Sequence, residues 1–142
     1  MDPFSQYLSR QISLQFYPMT KLAFLNVLQK IPAEQALLLI DGLELMVLHE
    51  GAIAQVMHFD NRIKAVLQLH IPSKISQDCL EYIIAHELAH VAQRRNWRNQ
   101  DGEQLEVNAD ATAEIWGFPR KQEFHDWIQS NSIGRRIGDV NY

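Results

Sequence analysis

The sequence predicts a small α+β fold that forms a single domain over residues 1–142. Segments with helical spacing of apolar residues lie at both ends of the chain and enclose three apolar segments of strand length, which is typical of that class. The apolar fraction of 46% and the charged fraction of 21% are those of an ordinary globular domain. A chain of this length buries about two-thirds of its unfolded surface, so one core is enough to hold it.

Two helices are predicted at the N-terminus. The apolar residues of segment 4–12 follow helical spacing, and Pro18 ends that series. A second series over residues 22–28 repeats the spacing and stops near Pro32. Residues 33–40 fit a helix or a strand, because periodicity does not distinguish the two in so short an apolar run.

The middle of the chain predicts a three-stranded antiparallel sheet in meander order. Segments 43–49, 53–59 and 63–71 are rich in Val, Ile, Leu and Met and have the length of strands. Residues with turn chemistry separate them, and Pro72 ends the third segment. The alternation in the third segment places its apolar side chains on one face of the sheet.

Three further helices are predicted after the sheet. Ser76 fits the N-cap of the first helix, which runs from residue 77 to about 96. A polar loop leads to a second helix over about 103–116, which Gly117 closes. A short helix near 120–129 precedes the C-terminal residues.

Charge and cysteine content exclude several classes of protein. Thirteen basic against seventeen acidic residues give a net charge of −4, which argues against a nucleic-acid-binding protein. Cys79 is the single cysteine, which indicates a reducing compartment. The N-terminus does not read as a signal peptide, and no apolar run is long enough to span a membrane. We therefore expect a soluble cytoplasmic protein, and its oligomeric state stays open.

His86-Glu87-Leu88-Ala89-His90 is an H-E-x-x-H motif in the middle of a predicted helix. Two histidines at i and i+4 lie about 40° apart around the helix, so both imidazoles reach one metal ion. Imidazole suits zinc, and Glu87 is placed to accept a proton from a metal-bound water. The motif therefore predicts a zinc site with Glu87 as the general base.

A catalytic zinc needs a third protein ligand, and the next helix supplies two candidates. A third histidine six residues after the second is absent, because Asn96 stands there. Glu106 follows sixteen residues after His90, and Asp110 lies one turn further on the same helical face. We expect Glu106 to ligate the metal and Asp110 to accept the free N–H of a ligating imidazole. Asp110 is the alternative ligand, and a solvated acidic stripe on this helix is the alternative to both roles.

His86-Glu87-x-x-His90 followed by Glu106-x-x-x-Asp110 resembles the gluzincin metallopeptidases, and the short chain resembles their small minigluzincin-like members. The resemblance covers about residues 63–118. It implies a zincin-like fold in which a small sheet packs on the motif helix, with a glutamate helix soon after. It also implies that the edge strand ending at Ile71 binds an extended peptide by strand addition. No segment matches the C-terminal subdomain that carries a transition-state histidine or tyrosine in the larger enzymes.

The expected function is zinc-dependent hydrolysis of peptide bonds in a peptide or protein substrate. One alternative is an interaction module that keeps the zinc-stabilised fold without meaningful turnover, and another is a narrow regulatory protease that acts on one partner. Three residues outside the motif are weaker candidates for the site. They are Cys79 as a fourth ligand, His70 as a cleft residue and His125 as an oxyanion stabiliser.

Overall fold

The computed structural model describes residues 2–60, 62–93 and 101–131, together with the backbone of residues 136–137 and 140–141. This part of the chain is mixed α+β, as predicted. The elements in chain order are α1 (Pro3–Ser9), a 3₁₀ helix (Ile12–Phe16), α2 (Pro18–Lys30), α3 (Ala33–Ile40), β1 (Leu43–Val47), β2 (Ala54–His58), β3 (Ala65–Leu69), α4 (Gln77–Ala92), α5 (Gly102–Ile115), α6 (Gln122–Asn131), β4 (Arg136–Ile137) and β5 (Val140–Asn141).

The N-terminal third is helical, including residues 33–40, for which periodicity did not distinguish a helix from a strand. Residues 33–40 form α3, whose Ala36 and Leu39 are buried. The first predicted helix is wrong in its extent, because α1 ends at Ser9 and a separate 3₁₀ helix follows. The break brings polar side chains of this segment against the first strand.

The three-stranded sheet has the order β1-β3-β2, so the predicted antiparallel meander is wrong. β1 runs parallel to β3, whereas β2 is antiparallel to it. β3 lies in the centre, and its alternate side chains are the most completely buried of the sheet, with Ala65, Leu67 and Leu69 at most 1% exposed. The strand that ends near Ile71 is therefore not an edge strand, and the edges belong to β1 and β2.

The outer edge of β1 is covered by side chains from the N-terminal segment. These side chains hydrogen-bond to main-chain groups of β1 that a neighbouring strand would otherwise use. The bonds run from Leu45 N–H to Gln11 Oε1 (2.9 Å), from Val47 N–H to Ser13 Oγ (3.1 Å) and from the Tyr7 hydroxyl to the Leu43 carbonyl oxygen (2.6 Å). Side chains thus take the place of a further strand along this edge.

Helix α4 lies in the core of the protein. Its start is the predicted one, because Ser76 Oγ accepts a hydrogen bond of 3.1 Å from the Cys79 N–H. It contacts α2, α3, α5 and the strands β2 and β3. Most of its side chains are buried, including Tyr82, Ile83, Ile84, Ala85, His86, Glu87, Leu88 and Ala89. A helix enclosed on so many sides holds its side chains in fixed positions.

The C-terminal elements pack around α4 and β2. Asp101 caps α5 by accepting a hydrogen bond of 2.7 Å from the Gln104 N–H, and α5 packs on α4. The predicted end of the motif helix near residue 96 lies outside the described residues. The backbones of β4 and β5 come within 8 Å of β2 and α5, respectively. In the described part of the chain, no helix has the length and hydropathy needed to cross a membrane.

Replacement of Gly42 by alanine is expected to lower the free energy of unfolding by about 1–3 kcal/mol. Gly42 has φ +75°, and a Cβ there would lie 3.1 Å from the Arg62 carbonyl oxygen and 3.0 Å from Lys64 Cγ. Gly102→Ala is the matched control, because a Cβ at Gly102 meets nothing within 4 Å. Urea denaturation of both variants measures the difference, and equal stability of the two would contradict this account of the turn.

Candidate metal centre

Helices α4 and α5 bring three metal-ligating side chains together. His86 and His90 project from adjacent turns of α4, and Glu106 reaches them from α5. The two Nε2 atoms lie 3.2 Å apart. Glu106 Oε2 lies 2.6 Å from His86 Nε2, and Glu106 Oε1 lies 3.1 Å from His90 Nε2. The three side chains therefore offer two nitrogens and a carboxylate to one point.

Two of the three separations between these atoms match the ligands of a tetrahedral metal ion such as zinc. Ligand atoms about 2.0–2.1 Å from zinc at tetrahedral angles lie about 3.3 Å from each other. Two of the three separations are within a few tenths of an ångström of that value. The third, 2.6 Å, is the length of a charge-assisted hydrogen bond. A metal ion held by His86 Nε2 would take the place of the proton in that bond.

His86 lies between two carboxylates. Its Nδ1 is 2.6 Å from Asp110 Oδ1, and its Nε2 is 2.6 Å from Glu106 Oε2. Burial alone lowers the pKa of His86, but the hydrogen bonds to the two carboxylates outweigh burial and raise the pKa to about 10. Burial likewise opposes ionisation of Glu106, yet its bonds to the two histidines bring its pKa down to about 2.

Asp110 is held in place from two further sides. The Tyr82 hydroxyl donates a hydrogen bond of 2.6 Å to Oδ1, and Arg120 Nη1 donates one of 3.0 Å to Oδ2. Burial raises the pKa of Asp110, but the bonds from His86 and Tyr82 outweigh it and lower the pKa. Asp110 thus stays ionised and oriented toward Nδ1, the side of the imidazole that faces away from the other two ligands.

His90 has a neutral partner instead. Its Nδ1 lies 2.7 Å from Gln93 Oε1, and Gln93 Nε2 donates a hydrogen bond of 2.8 Å to the Leu105 carbonyl oxygen. Leu105 directly precedes Glu106 on α5. Each imidazole therefore has a hydrogen-bond partner on Nδ1 and turns Nε2 toward the shared point.

Glu87 is a carboxylate with no exposed surface, directly after the first histidine. Neither of its oxygens has a hydrogen-bond partner among the described residues. Burial raises the pKa of Glu87, and the neighbouring His86 and His90 partly offset that effect. A buried carboxyl without partners costs free energy, so its presence indicates a ligand or a reacting group nearby.

The weaker candidates lie outside this group. Cys79 is buried, and burial raises the pKa of its thiol to about 12, which is the behaviour of an inert core thiol. His70 Nδ1 lies 3.1 Å from the Leu48 carbonyl oxygen at the end of the sheet. The ring of His125 lies edge-on to the ring of Phe124, 5.8 Å between centroids. None of the three belongs to the ligand group found in the described residues.

Three residues of the site were not predicted from the sequence. Tyr82 lies four residues before His86 and Gln93 lies three residues after His90, so helical spacing alone could have placed both beside the motif. Arg120 comes from the loop after α5, and no local pattern connects it with Asp110.

The carboxylates of Glu106 and Asp110, the imidazoles of His86 and His90 and the guanidinium of Arg120 form one hydrogen-bonded group, with the carboxylate of Glu87 beside it. Histidine nitrogens with one carboxylate are ligands that zinc prefers. No family model matches the chain, and neither a curated protein nor a solved structure matches it. What the site can do therefore follows from its own residues.

Proposed function

We propose that this protein is a zinc-dependent hydrolase of peptide bonds with a zincin-like fold of the gluzincin type. His86, His90 and Glu106 hold the metal, and Asp110 orients His86. The observation that carries the proposal is the buried, unpartnered carboxylate of Glu87 directly beside three convergent ligands. A purely structural zinc site has four protein ligands and needs no such carboxylate, whereas a hydrolytic site needs an open position and a base.

The role of Glu87 is to move one proton. It accepts a proton from the attacking water as the water oxygen bonds to the scissile carbonyl carbon, and it then delivers that proton to the leaving amine nitrogen. Its burial supports this role, because burial raises the pKa of Glu87 and so makes its carboxylate a stronger proton acceptor. Zinc held by the three ligands would polarise the carbonyl and lower the pKa of the water toward ~7.

The edge strand β2 is the best position for an extended substrate. It contacts α4, and among the described strands it pairs with β3 alone, while the backbone of β4 comes within 8 Å of it. The other edge is not equivalent, because side chains such as Gln11 already bind the main chain of β1. A peptide that adds to β2 would lie along the sheet next to the motif helix.

Zinc content is the first test of this function. Protein purified without chelators is expected to contain one zinc ion per chain, because three ligands converge on one point. Inductively coupled plasma mass spectrometry measures the metal. His90→Ala is expected to lose the zinc, and His49→Ala, which changes an exposed histidine outside the group, is expected to keep it.

Two outcomes separate the alternatives. Less than about a tenth of an equivalent, with no tight uptake on titration, would disprove the metal site. Stoichiometric zinc without cleavage of any member of a proteome-derived peptide library would disprove general peptidase activity. It would favour an interaction module or a protease restricted to one partner.

A further inference from the structure

The side chain of Gln93 connects His90 with α5, the helix that carries Glu106. It contacts His90 through its amide oxygen and the main chain of α5 through its amide nitrogen. We infer that Gln93 is a positioning residue that fixes the tautomer of His90 and the approach of Glu106. This inference rests on the proposed metal site.

The amide of Gln93 has one allowed orientation. The Leu105 carbonyl is an acceptor only, so the Gln93 group 2.8 Å from it has to be the NH₂ donor. The opposite orientation would place two acceptor oxygens against each other. Oε1 therefore faces the imidazole of His90, at 2.7 Å.

The orientation of the amide decides the tautomer of the imidazole. Oε1 only accepts hydrogen bonds, so Nδ1 of His90 has to carry the proton. In the neutral ring, the lone pair then lies on Nε2, the atom that faces Glu106 Oε1 at 3.1 Å and His86 Nε2 at 3.2 Å. Gln93 thus presents the His90 lone pair to the metal position.

The second bond of Gln93 acts on the other helix. Leu105 lies in the first turn of α5, one residue before Glu106. The position of its carbonyl group therefore sets the position of the Glu106 backbone, from which the carboxylate projects. The backbone of Gln93 is itself fixed, because its N–H bonds to the carbonyl oxygens of His90 and Val91 as the C-cap of α4. A rigid amide between the two helices therefore holds the distance between two ligands.

Four variants test the inference. Gln93→Met keeps the shape of the side chain and removes both hydrogen bonds, whereas Gln93→Glu keeps the acceptor for His90 and removes the donor. Gln104→Met and Gln104→Glu make the same changes at an exposed glutamine of α5 that bonds to Asn108 and contacts no ligand. Zinc affinity is measured by chelator competition, and ligand geometry by the visible absorption of the cobalt-substituted protein.

Gln93→Met is expected to bind zinc about 10–100-fold more weakly, with an altered cobalt spectrum, as for the loss of other partners of ligating histidines. Gln93→Glu is expected to recover part of that affinity, because it keeps the acceptor that fixes the His90 tautomer and loses only the bond to α5. Both Gln104 variants are expected to match the wild type. If Gln93 only held the two helices together, Gln93→Glu would lose as much zinc affinity as Gln93→Met, and that result overturns the inference. Wild-type zinc affinity of Gln93→Met also overturns it. Absence of zinc uptake by the wild type would instead disprove the proposed site itself, and the inference with it.

Discussion

Glu87→Gln is expected to abolish measurable peptide hydrolysis while zinc binding and the fold are retained. Glutamine has the shape of glutamate but does not accept a proton, so the variant lacks the general base and keeps all three ligands. General-base catalysis contributes about 10²–10⁴-fold to the rate. The burial of Glu87 strengthens the expectation, because no other described carboxylate lies buried and without hydrogen-bond partners at this site.

Cleavage of a proteome-derived peptide library, followed by mass spectrometry, measures the effect. Zinc content and circular dichroism of the same preparations check the metal and the fold. Glu81→Gln is the matched control: it makes the same change on α4, at a partly buried glutamate that accepts a hydrogen bond of 2.9 Å from Asn26. Cleavage at the native rate by Glu87→Gln would show that the proposed mechanism is wrong.

Glu106→Ala is expected to weaken zinc binding far more than Asp110→Ala does. Loss of Glu106 removes a ligand oxygen and leaves only two histidines at the metal position. Loss of Asp110 keeps all three ligands and frees one imidazole to rotate, which typically lowers metal affinity about 10–100-fold. The geometry supports this order, because Glu106 lies on the Nε2 side of His86 and Asp110 lies on the Nδ1 side.

Chelator competition on both variants measures the zinc affinities, with Glu103→Ala as a control at an exposed acidic residue one turn before Glu106. Circular dichroism confirms that the variants fold. If Asp110→Ala lost the metal and Glu106→Ala retained it, the two roles would be exchanged and Asp110 would be the third ligand.

The part of the site that lies on one helix could be predicted from the sequence, because helical geometry fixes it. Residues four apart on α4 share a face whatever surrounds them, so the relation of His86 to His90 follows from spacing. The prediction that Glu106 lies beside the two histidines required a second step, namely that α5 packs on α4. The order of the elements along the chain indicated this packing. Arg120 could not be predicted, since its contact with Asp110 depends on the path of a loop.

The order of the strands in the sheet could not be predicted either, and the reason is a different one. All three strands show apolar alternation, and alternation determines the face of a residue but not the neighbour of its strand. Sequential strands usually pair, which favoured the meander. The observed order instead places β3 in the centre, where Ala65, Leu67 and Leu69 are at most 1% exposed. Such burial depends on the helices that pack on the sheet, and the alternation within one strand does not reveal it.

The N-terminal cover of β1 has a practical consequence for any mutational study of this protein. An uncovered strand edge is a template for a strand of another chain, and proteins that expose one tend to aggregate. Changes at Tyr7, Gln11 or Ser13 would uncover main-chain groups of β1 and favour self-association. Loss of function in such variants would reflect aggregation of the protein. It would carry no information about the chemistry of the candidate metal centre.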